Sequence, residues 1–343
     1  MRVLVAMSGG VDSSVAAALV LDAGHQVVGA TMKLWGGPSD SGCCSVADVE
    51  DARRVADQLG ISHHVFNFAE DFERHVVDPY VSDHAAGRTP NPCIECNRHL
   101  KFDRFLDRAA RLGFDAIATG HHARVVLEGS EWSLRRGADP AKDQSYVLHM
   151  LGSDQLPRVL LPVGSMTKAE VRSRAAALGL RTATKADSQD VCFISRKGGR
   201  EAFLGARIPL RPAPVIDEAG RSLGAVPAVE LITVGQRRGL VPAIGERYVV
   251  SVETEVPAVR VGPLSDLLVA EVPVPDPKWV AGEPGPDEML EVQFSAHGVP
   301  VPGRWDPSGR VVLAAPVRRV AAGQSVVMYR GDEVVGGGPA GAG

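Results

Sequence analysis

Arg2-Val3-Leu4-Val5-Ala6-Met7-Ser8-Gly9-Gly10-Val11-Asp12-Ser13-Ser14-Val15-Ala16-Ala17-Ala18-Leu19-Val20 decides how the first half of the chain folds. Arg2–Met7 is a short β-rich run that breaks at a Ser-Gly-Gly turn. Ser13–Asp22 follows as an alanine-rich helical run ending near Gly24. A strand feeding a helix through a glycine turn is the repeating unit of a parallel α/β sheet.

The same alternation continues outward. Gln26–Leu34 reads as a strand, and Val46–Leu59 as a helix that stops at Gly60. His64–Phe68 is a strand, Phe102–Leu112 a helix, Ala116–Gly120 a strand and Lys168–Leu178 a helix. The expectation is a doubly wound parallel sheet over residues 1–200. Pro209, Pro212, Pro214, Pro227, Pro242, Pro257 and Pro263 then punctuate short valine-rich runs, which suits β structure with tight turns. Arg247–Val252 and Val259–Val261 are strands of a small mixed middle domain, residues 201–264. Val272–Pro286 is a proline-rich linker or edge. Glu291–Phe294, Arg310–Ala314 and Ser325–Tyr329 belong to a C-terminal β-barrel-like domain, 265–338. The Gly/Ala/Pro stretch after Gly336 reads as disordered, with 339–343 a flexible tail.

With 343 residues, more than one core is expected. A net charge of −4 excludes a globally basic nucleic-acid binder, so any such contact must be local. Arg135-Arg136, Arg237-Arg238 and Arg318-Arg319 are basic pairs, by default solvated. The N-terminal apolar run is too short for a secretory signal, and no run has the length of a membrane span. The expectation is a cytoplasmic protein without membrane contact. Cys43, Cys44, Cys93, Cys96 and Cys192 make an odd set, which in a reducing compartment points to catalysis or metal rather than a disulfide framework.

Ser8-Gly9-Gly10-Val11-Asp12-Ser13-Ser14 suits phosphate. Glycines let backbone approach an anion, serines add donors, the helix start favours negative charge, and Asp12 can hold a magnesium ion. It is neither a Walker A loop nor a G-x-G-x-x-G fingerprint. The plain alternative is a Ser/Gly turn with Asp12 as N-cap. Cys93-Ile94-Glu95-Cys96 alone has three readings: a zinc half-site, a redox pair, or a nucleophile with an incidental neighbour. Cys192, between Val191 and Phe193, alone could be an inert core cysteine.

The full S-G-G-x-D-S-S resembles the ATP-pyrophosphatase (PP-loop) family, which implies cleavage between the α- and β-phosphates of ATP. Joined in order to T-P-N-P-C-I-E-C-N, T-G-H-H-A-R, K-D-Q-S-Y-V-L, D-S-Q-D-V-C-F-I and G-Q-R-R-G-L, it resembles the tRNA-specific 2-thiouridylases. That resemblance covers most of the chain. It implies ATP-dependent replacement of the 2-oxygen of the wobble uridine by sulfur, with tRNA and a sulfur donor (a cysteine desulfurase or sulfur-relay protein) as partners and a monomeric enzyme. Residues 1–200 would be the catalytic domain and 265–338 would contact tRNA.

Carried over by motif, the resemblance makes Cys96 the nucleophile and Cys192 the persulfide carrier, with a transient disulfide between them. Ala6, Met7, Ser8, Gly9, Gly10, Val11, Asp12, Ser13, Met32 and Gly120 would bind ATP with magnesium. Asn91, Pro92 and Cys93 would meet the target base, and His121, Lys142, Asp143, Gln144 and Gln324 the tRNA.

Two departures matter. Many family members carry aspartate where this chain has Cys93, which leaves the general acid/base open, with Asp143 one candidate. The change also admits an iron–sulfur cluster on Cys93, Cys96 and Cys192. An Arg-Tyr-Arg stretch of the family corresponds here to Gln293-Phe294-Ser295. Two rival functions remain: a PP-loop enzyme adenylating a small metabolite, and a zinc-stabilised RNA-binding protein. Neither uses Cys96 together with Cys192.

Overall fold

A computed structural model describes residues 1–35, 45–187, 191–194, 198–241 and 245–342. Cys43 and Cys44 lie outside the described residues.

The N-terminal strands are β1 Arg2–Ala6, β2 Gln26–Lys33, β3 His63–Asn67 and β4 Ala116–Ala118, then a hairpin, β5 Ala123–Glu128 and β6 Glu131–Arg136, and β7 Val159–Leu160. A parallel five-stranded sheet runs β3-β2-β1-β4-β7. Strand β1 lies at its centre and faces cores on both sides. Leu4 and Ala6 pack with Ile117, Phe102 and Phe105, whereas Val3 and Val5 pack with Val15, Val55 and Ala118. Burial on both faces is why β1 reads as a continuous apolar run rather than an alternating one.

Helix α1, Val11–Asp22, buries almost its whole circumference, which its alanines permit. Helix α2, Val46–Leu59, is capped by Ser45, whose hydroxyl accepts from the Asp48 amide at 3.1 Å, and it buries Ala52, Val55 and Ala56. The helix expected from Phe102 begins earlier. Pro92–Glu95 forms one α-helical turn, Cys96–Arg104 continues with π-helical bonding, and Phe105–Arg111 returns to α. Wider turns of this kind are frequent at functional sites.

The middle strands β8 Ala213–Ile216, β9 Ser222–Val226, β10 Tyr248–Glu253 and β11 Ala258–Gly262 form a sheet ordered β10-β11-β8-β9 over Val215, Val249, Val259 and Val261. The C-terminal strands are β12 Leu268–Pro273, β13 Lys278–Trp279, β14 Leu290–Gln293, β15 Val301–Asp306, β16 Arg310–Arg318, β17 Ser325–Arg330 and β18 Glu333–Pro339. They order as β12-β16-β15-β14-β17-β18, and the β5–β6 hairpin extends the same sheet through Glu333 paired with Arg135.

Two readings are corrected here. The stretch from Gly337 to Gly341 is not disordered. Gly336, Gly337 and Gly338 pair with Met328, Val327 and Val326, and the Ala340 amide donates to Gln324 O at 2.7 Å. A Cβ on Gly336 would overlap Lys278 O, and one on Gly337 would overlap Val326 O. Glycine here marks close backbone approach rather than flexibility. The Arg135-Arg136 pair is not simply solvated either. Arg136 lies over the Tyr329 ring at 3.6 Å and donates to Gln293 Oε1 at 2.9 Å, and Arg135 reaches Glu128 and Asp332.

Candidate active site

The turn after β1 is held by its own serines. Ser13 Oγ accepts from the Ser8 amide at 3.1 Å and donates to Gly10 O at 3.1 Å, and Ser14 Oγ donates to Gly10 O at 2.8 Å. Gly10 is the N-cap of α1 and offers no side chain to the helix's first amides. Uncapped donors at the positive end of a helix suit a phosphate. Gly120, two residues past the end of β4, lies against this turn, where a Cβ would sit 2.6 Å from the Ser13 amide nitrogen. Only glycine lets β4 and α1 approach so closely.

Asp12 points into the cleft within an ion network. His122 Nε2 lies 3.1 Å from its Oδ1, and Lys168 Nζ lies 2.8 and 2.7 Å from its two oxygens. Burial alone would raise the Asp12 pKa, but the hydrogen bonds from His122 and Lys168 outweigh it, and the carboxyl is lowered. Lys168 continues to Asp187 at 2.9 Å, which also meets Lys142 at 2.8 Å and Arg172 at 2.7 Å. Burial opposes ionisation of Asp187, yet Lys142 and Lys168 bring it down to about 2.

His121 sits between Thr119 Oγ1 at 2.7 Å and Lys101 Nζ at 3.4 Å. Burial, then the charges of Lys101 and His122, push its pKa well below the ordinary value. It is therefore neutral. Lys101 donates to Nε2, which leaves Nδ1–H to donate to Thr119.

The cysteines meet this machinery. Cys93, Cys96 and Cys192 line one cavity of about 880 Å³ with Ser8, Gly10, Asp12, Ser13, Met32 and Gly120. Cys96 is buried and packs in one apolar cluster with Phe72, Tyr80, Leu100 and Phe193, on which Cys192 also rests. The Phe193 ring is clamped edge-on by Phe72 at 5.6 Å and Tyr80 at 5.4 Å, which fixes the neighbour of Cys192. Val191 has φ 54°, a strained value for a β-branched residue.

Of the other expected site residues, Ala6, Met7, Val11, Pro92, His121, Lys142, Asp143 and Gln144 line this cavity. Gly9, Asn91 and Gln324 are not among its walls. Asn91 Oδ1 accepts from the Cys93 amide at 3.1 Å, capping the turn that presents Cys93 and Cys96. Gln324 follows a turn docked on Thr89, whose amide donates to Ala322 O at 2.8 Å. Asp143 accepts from the Gly137 amide, the Ser145 amide and hydroxyl, and Arg136. A carboxylate with four internal donors holds its turn in place and is poorly suited to shuttle a proton. Gln293 is equally structural. It is buried, and its amide donates to Ser295 O and Ala296 O, so that Ala296 and His297 face the cleft from the C-terminal sheet.

Sequence reasoning missed Lys168, Lys101, Asn97 and Asp187 as cleft residues. One signal was present for Lys168. It is the first residue of a helix whose capping box, Thr167 with Glu170, is complete. A lysine there opposes the helix dipole, a local conflict that marks another use for the charge.

Among the described residues no group of three or more His, Cys, Asp or Glu is arranged to hold a metal. No helix there is long and apolar enough to cross a membrane.

The family model described as "tRNA methyl transferase HUP domain" matches residues 1–196, and that described as "Aminomethyltransferase beta-barrel domain" matches residues 269–340. A tRNA-specific 2-thiouridylase MnmA of Chloroflexus aurantiacus is 49% identical, covering 98% of this chain and 97% of its own length. One from Mycolicibacterium smegmatis is 47% identical, covering 98% of each chain. A crystal structure of a 4-thiouridine synthetase–RNA complex with bound ATP is similar over 56% of this chain and 44% of its own, at 18% identity and a TM-score of 0.38.

Proposed function

This chain belongs to the family of tRNA-specific 2-thiouridylases, and on that premise we propose that it uses ATP to replace the 2-oxygen of the wobble uridine of tRNA by sulfur. The observation that carries the reading is the shared cavity. A phosphate-suited helix start and the thiols of Cys96 and Cys192 line one space, so activation and sulfur transfer can act on a single base.

The uridine 2-oxygen attacks the α-phosphorus of ATP, and pyrophosphate leaves. Ser8, Gly10 and the first amides of α1 hold the phosphates, with Gly120 beside the turn. Asp12, ionised and facing the cleft, would hold magnesium, which supplies charge neutralisation for the phosphates. The terminal sulfur of a Cys192 persulfide attacks C2, and AMP departs with the former 2-oxygen. Cys96 thiolate then attacks the Cys192 sulfur, breaking the persulfide S–S bond and leaving sulfur on the base. A Cys96–Cys192 disulfide results, and a dithiol reductant reopens it. Among the described residues the cysteines are not grouped as metal ligands.

Residues 1–200 are proposed as the catalytic domain, 201–264 as a connecting domain and 265–338 as the tRNA-contacting domain of a cytoplasmic monomer. Asn91, Pro92 and Cys93 are proposed to meet the base, and His121, Lys142, Asp143, Gln144 and Gln324 to support tRNA. The persulfide would come from a cysteine desulfurase or sulfur-relay protein.

The test is incubation with unmodified tRNA, MgATP, cysteine and a cysteine desulfurase, followed by nucleoside mass spectrometry. Appearance of 2-thiouridine that depends on ATP is the expected result. A methylated nucleoside, or AMP formed with a small acceptor and no RNA, would contradict it.

A further inference from the structure

A second lysine holds the phosphate turn from behind the cleft. Lys185 is not among the cavity walls, yet its Nζ donates to Gly9 O at 2.9 Å, to Asp48 Oδ1 at 2.7 Å and to Asp51 Oδ2 at 2.8 Å. An ammonium has three N–H donors, and these three oxygens take all of them. The lysine is itself anchored, because its carbonyl accepts from Arg172 of the helix Lys168–Ala177 at 3.0 Å. Burial opposes its charge, but the hydrogen bonds to Asp48 and Asp51 outweigh burial and raise its pKa, so the ammonium is charged.

The Gly9–Gly10 peptide is trans, and a trans peptide sends its C=O and the following N–H in opposite directions. With the Gly9 carbonyl drawn toward Lys185 and α2, the Gly10 N–H faces the other way, and Gly10 is a wall of the cleft. We propose that Lys185 is a positioning residue that fixes this peptide so that the Gly10 N–H is a preset donor to phosphate. The inference rests on the reading that the turn takes a nucleotide. Between two glycines the peptide plane has little preference of its own, and a flip would turn the Gly9 carbonyl oxygen toward the phosphate instead. Gly9 has φ 73°, and a Cβ on it would fall 2.2 Å from Asp48 O, so the turn rests directly on the first turn of α2. Lys185 thus contributes to nucleotide affinity without touching the nucleotide.

The test uses the full-length protein with magnesium and α,β-methylene-ATP, which cannot release pyrophosphate. Binding is followed by calorimetry and stability by urea midpoint. Glycine labelled with carbonyl ¹³C and amide ¹⁵N selects the amides of glycine–glycine pairs, so the Gly10 amide can be followed by NMR. In the wild type, nucleotide should move the Gly10 amide proton downfield. Lys185→Met should weaken binding about tenfold or more, as loss of one hydrogen bond to a charged group does, and should lose that shift at saturating nucleotide. Asp48→Asn/Lys185→Met removes the repulsion left between Asp48 and Asp51, and it decides the matter if the single variant folds poorly. Its urea midpoint should recover while its affinity stays low, whereas a purely structural role predicts that both recover together. Unchanged affinity in Lys185→Met, or affinity regained in the double variant, would overturn the inference while leaving the nucleotide reading intact. Failure of the wild type to bind nucleotide would overturn both.

Discussion

Lys168 Nζ donates to both carboxylate oxygens of Asp12, at 2.8 and 2.7 Å, from the first turn of a helix more than 150 positions downstream. A carboxylate beside a helix start would repel an incoming triphosphate if it stood alone. Paired with Lys168 and His122, it becomes a site where a cation can be exchanged and an anion tolerated.

Asp12→Ala should therefore impair chemistry more than folding. ATP-dependent pyrophosphate release in the presence of tRNA is expected to fall by about 100-fold, the size of effect seen when one electrostatic group is removed from a reacting centre. The melting temperature should move little, since Lys168 keeps Asp187. An unchanged release rate would count against the role of the turn.

Cys192→Ser separates activation from sulfur delivery. It should abolish 2-thiouridine formation while tRNA-dependent AMP formation remains detectable. Thiolation retained in this variant would remove the persulfide assignment. Because the Phe193 ring keeps its place between Phe72 and Tyr80, the fold should persist.

Much of this was legible in the chain. The strand-turn-helix around Ser8–Ser14 and the helix Val46–Leu59 follow from local pattern and caps alone. The β5–β6 hairpin was not, because its place in the C-terminal sheet depends on Glu333 meeting Arg135 about two hundred residues away. Gly336–Gly338 misled for a related reason. Composition there signals disorder, whereas the glycines answer to the crowding of β13 and β17, which no local rule contains. The cysteines were found through motif order, but their common cavity is a tertiary fact. Lys168 carried a weak local signal through its position against the helix dipole.

Gly336→Ala tests the crowding directly. It should cost about 1–3 kcal/mol, as overpacking does, read as a lower urea midpoint. Gly285→Ala is the control, since a Cβ there meets nothing within 4 Å. Equal stability of the two variants would contradict the account of the C-terminal strand.

Acid should destabilise the protein in two stages. His149 is buried, and burial lowers its pKa to about 4 from an ordinary 6.5, as it does for His84. The unfolded chain binds these protons first, so stability is lost as pH falls from about 6.5 toward 4, by about 3 kcal/mol for His149. Asp187, depressed to about 2, contributes stability above its ordinary value of 3.8 and loses it only as pH falls from about 4 to about 2. In urea titrations, His149→Gln should shrink the first stage, leaving the share of His84 and His121, and Asp187→Asn should shrink the second. A first stage unchanged in His149→Gln would show that this residue is not its source.

The central claim is that the sulfurs of Cys96 and Cys192 act together on one nucleotide-activated base. The most direct measurement is a single turnover of persulfide-loaded protein with tRNA and MgATP, without reductant, followed by peptide mapping. The account predicts a Cys96–Cys192 disulfide in amounts matching the 2-thiouridine formed. Thiolated tRNA accumulating while both cysteines remain reduced would contradict it.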